Sequence, residues 1–243
     1  MAKLKFVPAG SLLLTFALLS PTLVADEPGT LIFEDDFERS EAQEDKDEVG
    51  NGWGTNSKTR AAGNKQVDLK DGTMRIYIHE KADHGVSVTH AAEFKDGSVQ
   101  MKFLLEDEKD TLGLNFADLK CKEVWAGHLF KVTVGVKTTE ITDLKTGQMD
   151  LNIRELRQTK KLTEAQQNEL KTKTKRFPHA LEAGKWHTVL ATVKGDTLTV
   201  SIDGKVVGSF AAAGIAHPTK RMLRLAIHRN VVVDDVKIYS LVK

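Results

Sequence analysis

Four stretches of this 243-residue chain alternate apolar and polar side chains with a period of two. No other feature constrains the fold as strongly. Met74, Ile76 and Ile78 alternate with Arg75, Tyr77 and His79, and Val99, Met101, Phe103 and Leu105 with Gln100, Lys102 and Leu104. Phe130, Val132, Val134 and Val136 alternate with Lys131, Thr133 and Gly135, and Leu198, Val200 and Ile202 with Thr197, Thr199 and Ser201. Successive side chains of a strand point to opposite faces, so each stretch predicts a strand with one buried and one wetter face. Asp71-Gly72, Asp96-Gly97, Gly195-Asp196 and Asp203-Gly204 fall between strands, and Asp-Gly suits the positive φ angles of tight hairpins. Strands joined this way, without repeated strand-helix alternation, predict an antiparallel all-β protein. At this length the stable form is two sheets packed face to face, a jelly-roll sandwich.

Two charged segments interrupt the strands. Residues 34–48 carry nine acids and two bases, and residues 154–176 carry eight bases and three acids. In the second, Thr163-Glu-Ala-Gln166 reads as a capping box opening a short helix on a basic insertion, with Lys171–Arg176 as its tail. The plain reading of both segments is a solvated surface. With no internal repeat and no Gly/Ser linker, residues 30–243 read as one domain. Ahead of it, Lys3 and Lys5 precede an apolar run from Phe6 to Ser20, and Pro21–Ala25 ends on a small residue. That is the pattern of a secretory signal peptide over residues 1–25, cleaved near Asp26. The run is shorter than the roughly 20 residues of a spanning helix, so the mature chain is expected to be secreted or periplasmic. Without Lys3 and Lys5, 33 bases face 34 acids. So balanced a chain creates no field that would attract nucleic acid. Cys121 is the only cysteine, which excludes an intrachain disulfide and a thiolate zinc site and leaves a small buried hydrophobe as its plain reading.

Leu31-Ile-Phe-Glu-Asp-Asp-Phe37 with Gly50-Asn-Gly-Trp-Gly54 opens the domain, and Val233-Asp-Asp-Val-Lys-Ile-Tyr239 closes it. Between them, Gly184-Lys-Trp-His-Thr-Val leads into a hairpin ending Ile202-Asp-Gly-Lys205. In this order the motifs resemble the concanavalin A-like lectin/glucanase superfamily. They are especially similar to exported bacterial domains related to laminin-G-like modules and the 3-keto-disaccharide hydrolase group. The resemblance implies a sandwich whose first and last strands lie side by side, and a function directed at carbohydrate. It also implies a structural Ca²⁺ held by Asp35, Asp36, Asp234 and Asp235, oxygen ligands of the kind a hard cation wants. Val231 and Val233 share one parity and Val236 and Ile238 the other, so a β-bulge is expected at Asp234-Asp235.

Catalytic motifs are sparse. Family 16 glucanases on this fold carry E-x-D-x-x-E on one strand, which this chain lacks; Glu140 and Asp143 have the wrong parity and Glu106 and Glu108 sit at a loop entrance. There is no G-x-S-x-G elbow, and no His spacing of metalloprotease type. Sugar sites pair a flat aromatic with fixed polar groups. The outward residues Arg75, Tyr77, His79, Gln100, Lys102 and Lys131, with Trp125 on a loop, are the candidates for such contacts. Their basic character suits an anionic polysaccharide. The expected function is therefore an exported carbohydrate-binding protein. The rivals are a glycoside-cleaving enzyme of the 3-keto-disaccharide hydrolase type, and a structural module that docks a protein partner through the basic insertion.

Overall fold

A computed structural model describes residues 29–241; the leader read from the sequence lies outside them. In chain order the elements are β1 (Thr30–Asp35), β2 (Gly54–Thr55), α1 (Ser57–Arg60), β3 (Val67–Lys70), β4 (Thr73–Tyr77), β5 (Val86–Phe94), β6 (Gly97–Leu104) and β7 (Thr111–Ala117). Next come β8 (His128–Gly135), β9 (Thr138–Asp143), α2 (Leu151–Gln158), α3 (Glu164–Thr172) and β10 (Thr174–Pro178). The chain ends with β11 (Trp186–Lys194), β12 (Thr197–Ile202), β13 (Lys205–Ala211), β14 (Lys220–Ile227) and β15 (Asn230–Ser240). The first sheet has the order β13-β12-β11-β6-β15-β4-β3, with β1 also pairing β15; the second runs β10-β9-β8-β7-β14-β5-β2. All pairings are antiparallel.

The predicted alternation decides which side chains meet between the sheets. Met74, Ile76, Val99, Met101, Phe103, Val231 and Val233 of the first sheet face Leu112, Leu114, Phe116, Phe130, Val132, Leu223 and Leu225 of the second, all buried in one cluster. Burying each such side chain stabilises by about 1.5–3 kcal/mol. The Asp71-Gly72 and Asp203-Gly204 turns both have positive φ at both residues (53° and 69°, 50° and 75°), as two-residue hairpins require.

The bulge falls where the sequence put it. The β15–β6 register slips between Asp234 and Lys237, and Asp235 has φ 48°. Before the bulge β15 pairs with β4 through Asn230–Val233; after it, Val236–Ser240 pair with β1. The slip lets Val231, Val233, Val236 and Ile238 all face the core.

Both charged segments differ from a plain solvated surface. The acidic loop covers the free edge of β3. Asp47 Oδ1 accepts from the Gln66 and Val67 N–H groups (2.8 and 3.0 Å), and Glu41 Oε2 from the Leu69 N–H and Lys65 Nζ (3.0 and 2.6 Å). Those backbone donors would otherwise form an open template for another strand. The basic insertion holds two helices rather than one. Asp150 caps α2, and Thr163 and Gln166 form the predicted capping box of α3. The expected helical tail stops at Thr172; residues from Thr174 instead pair with β9 as the edge strand β10.

Candidate functional site

The outer face of the second sheet forms an open groove of about 430 Å³. Two register rows cross its floor. In one, Thr89, Arg224, Asn115, Lys131 and Thr142 are successive neighbours on β5, β14, β7, β8 and β9. In the next, Ser87, Ala226, Gly113 and Thr133 stand side by side, and the row continues beyond the groove to Glu140 on β9. The second row is low at its centre because Gly113 has no side chain and cannot gain one cheaply. A Cβ there would lie 2.5 Å from the Ala226 carbonyl oxygen.

One wall is the turn before β8. Trp125 is half exposed, its backbone N–H donates to the Met149 carbonyl at 2.8 Å, and Ala126 adopts φ 50°. A non-glycine residue in the left-handed region is strained and persists only where surrounding contacts fix it. Arg154, from α2, stacks its guanidinium 4.0 Å from the centre of the Trp125 ring, so the basic insertion reaches this wall. Arg60, His84 and His228 close the other side.

Arg224 lies at the centre of the floor. Its Nη1 stands 3.0 Å from the His128 ring nitrogens, and Nη2 donates to the Ala126 carbonyl at 3.4 Å. Burial lowers its pKa from the usual value. His128 also contacts the Asn115 side-chain amide. Burial first, then the charge of Arg224, pushes the imidazole down to about 4, so it is neutral near pH 7. Among the described residues no Asp or Glu lines this groove. The adjoining acids are engaged elsewhere. Glu140 pairs with Arg176 at 2.8 Å, and buried Asp143 accepts from Thr146 and the Gly214 N–H.

The candidates named from sequence do not share one face. Trp125 and Lys131 line the groove. Arg75 and Tyr77 on β4, and Gln100 and Lys102 on β6, lie on the outer face of the other sheet, and His79 follows β4 on that side. There Arg75 pairs with Glu106 at 2.7 Å and Lys102 bridges Asp234 and Asp235 at 3.6 and 2.5 Å. Asn115, His128 and Arg224 were not singled out from sequence. The first and last lay within reach, because Leu112, Leu114 and Phe116 alternate with Gly113 and Asn115, and Leu223, Leu225 and Ile227 with Arg224 and Ala226.

The four candidate calcium ligands come from neighbouring strands, with Asp35 opposite Val236. Asp35 is buried and accepts from Arg39 (2.6 and 2.9 Å), Trp53 Nε1 (2.8 Å) and the Phe37 N–H (2.9 Å). Burial alone would raise its pKa, but these hydrogen bonds outweigh that and hold it below the usual carboxylate range. Trp53 is correspondingly buried. Lys102 lowers the pKa of Asp235. Among the described residues no group of three or more His, Cys, Asp or Glu is arranged to hold a metal.

No protein-family model matches the chain, and no curated protein matches its sequence. Solved structures do match in fold. A carbohydrate-binding module, CBM66, from Bacillus subtilis is 11% identical with a TM-score of 0.51, over 78% of this chain and 96% of that one. A laminarinase from Rhodothermus marinus is 10% identical with a TM-score of 0.57, over 88% and 98%. A GlcNAcα1-4Gal releasing endo-β-galactosidase from Clostridium perfringens is 9% identical with a TM-score of 0.59, over 88% and 64%. The fold is a concanavalin A-like jelly-roll sandwich, as the motifs at its two ends implied. No helix among the described residues is long and apolar enough to cross a membrane.

Proposed function

We propose that the protein binds a polysaccharide chain in the groove of the second sheet and does not hydrolyse it. One observation carries this reading: an open groove, walled by half-exposed Trp125 and floored by polar groups, contains no carboxylate. An aromatic wall with fixed polar groups is what a sugar ring needs for stacking and orientation. Most glycosidases need two carboxyl groups flanking the scissile bond, about 5–5.5 Å apart for retention and 6.5–9.5 Å for inversion. The likeness to a carbohydrate-binding module and to glycoside-cleaving enzymes supports the carbohydrate target, and the missing acid pair favours binding over cleavage. The leader supports action outside the cytoplasm, which N-terminal sequencing of exported protein beginning near Asp26 would check.

The test is affinity electrophoresis against a panel of soluble polysaccharides, with release of reducing ends measured in parallel. Trp125→Ala should weaken binding about tenfold or more, the loss expected for a stacking aromatic at a binding centre. Retention untouched by that substitution would place the binding surface elsewhere, and reducing ends released by the wild type would make the protein an enzyme.

A further inference from the structure

We infer that the groove holds a subsite for an oxyanion borne by a sugar, a uronate carboxylate or a sulfate ester, and that Arg224 reads it. This rests on the groove being the polysaccharide site and names the class of polymer it takes. Six other arginines face an acid: Arg39 with Asp35, Arg60 with Asp83, Arg75 with Glu106, Arg176 with Glu140, Arg221 with Asp118 and Arg229 with Asp110, while exposed Arg157 donates to the Gln148 carbonyl and Arg154 stacks on Trp125. Arg224 is partly buried, yet its contacts are a neutral imidazole, a backbone carbonyl and the Met222 sulfur. Holding a guanidinium away from water without a counter-charge is costly, and an arriving anion recovers that cost.

The neighbours strengthen the case. Lys131 lies two strands away in the same register row, with Asn115 between them. Strands are about 4.8 Å apart, so the two cations bracket about 10 Å of floor. Among the described residues Lys131 has no ion-pair partner, and neither does Arg154 on the face of Trp125. His128 fixes Arg224 without adding a charge that would repel it. A guanidinium has five N–H donors, and the three contacts of Arg224 leave two without a protein acceptor. A carboxylate or a sulfate oxygen can accept a charge-assisted hydrogen bond from such a donor.

The experiment compares polymers that share a backbone and differ in charge: polygalacturonate with its methyl ester, and dextran sulfate with dextran. Wild type, Arg224→Gln, Arg224→Lys and Trp125→Ala are compared at two salt concentrations, after circular dichroism and melting confirm folding. The wild type should prefer at least one charged polymer over its neutral partner by about tenfold or more, and less so at high salt. Arg224→Gln should bring that ratio close to one by weakening the charged polymer far more than the neutral one. Arg224→Lys should keep part of the preference, as a point charge without the fork. The polymer pair that shows the preference identifies the anion. A ratio that survives Arg224→Gln, or neutral polymers bound as tightly as charged ones, overturns the subsite. Binding of neither pair, or binding indifferent to Trp125→Ala, instead overturns the groove as the polysaccharide site.

Discussion

The edge where β1 meets β15 and the groove on the second sheet are both rich in charge, and they treat it in opposite ways. At the edge, charges answer one another: Asp35 is gripped by both arms of Arg39, and Lys102 lies between Asp234 and Asp235. In the groove Arg224 contacts no acid, and Lys131 forms no ion pair with any of the described residues. Charges that hold a fold together are paired within it. Cations kept unpaired on a recessed floor work against stability, which is the ground of the proposed anion subsite. The basic look of the strand faces therefore means two things, and only the pairing separates them.

The strongest way to break this contrast is to remove one partner from each region. Asp35→Ala leaves Arg39, Trp53 Nε1 and the Phe37 N–H without their acceptor. Breaking such a buried pair costs about 3–5 kcal/mol, which chemical denaturation should show. Arg224→Gln should change stability by about 1 kcal/mol or less, since it relieves burial of a charge as it removes contacts. Equal losses from the two substitutions would erase the distinction between a structural edge and a binding groove.

A second test uses pH. His128 titrates at about 4 in the folded protein, against an ordinary value of 6.5. Between those values the unfolded chain binds the proton and the folded one does not. Stability therefore falls as pH drops from about 6.5 to 4, by up to about 3 kcal/mol for this group if the shift is fully realised. His128→Gln should flatten that part of the stability-pH curve. An identical curve in the variant would mean that the imidazole is not held neutral by the groove.

The contrast also shows what the sequence could convey. Period-two alternation is local, so the strands, most of their inward residues and the bulge at Asp234-Asp235 were legible; Ile78, inward by parity, lies past the end of β4 and is exposed. Parity says which side of a strand is wet but not which sheet it joins. Arg75 and Lys102 alternate just as Lys131 does, yet β4 and β6 belong to one sheet and β8 to the other. The groove depends on pairings between distant strands, such as Arg224 opposite Asn115, that no spacing announces. His128 is set by a turn in which Ala126, as well as Gly127, takes a positive φ, and an alanine gives no signal of that. Thr-Lys-Thr-Lys after α3 suits a helix tail or a strand, and the free edge of β9 decided for the strand.

The smallest expected effect concerns calcium, the structural ion proposed for the β1–β15 edge. Its ligands are present on adjacent strands, but Arg39 holds Asp35 and Lys102 holds Asp234 and Asp235. Lys102 is exposed and its ammonium is readily released to water, so it is the competitor an ion would displace. Calcium should therefore move the melting temperature of the wild type slightly and that of Lys102→Gln more. Full occupancy at a hundredfold excess over Kd is worth about 2.7 kcal/mol, or roughly 5–10 °C for a chain of this size. Thermal melts of both proteins, with calcium and with chelator, give the comparison. If neither curve moves, the edge is held by its ion pairs alone; if the wild type already shifts by the full amount, Lys102 is no competitor and the edge belongs with the groove as a site completed from outside.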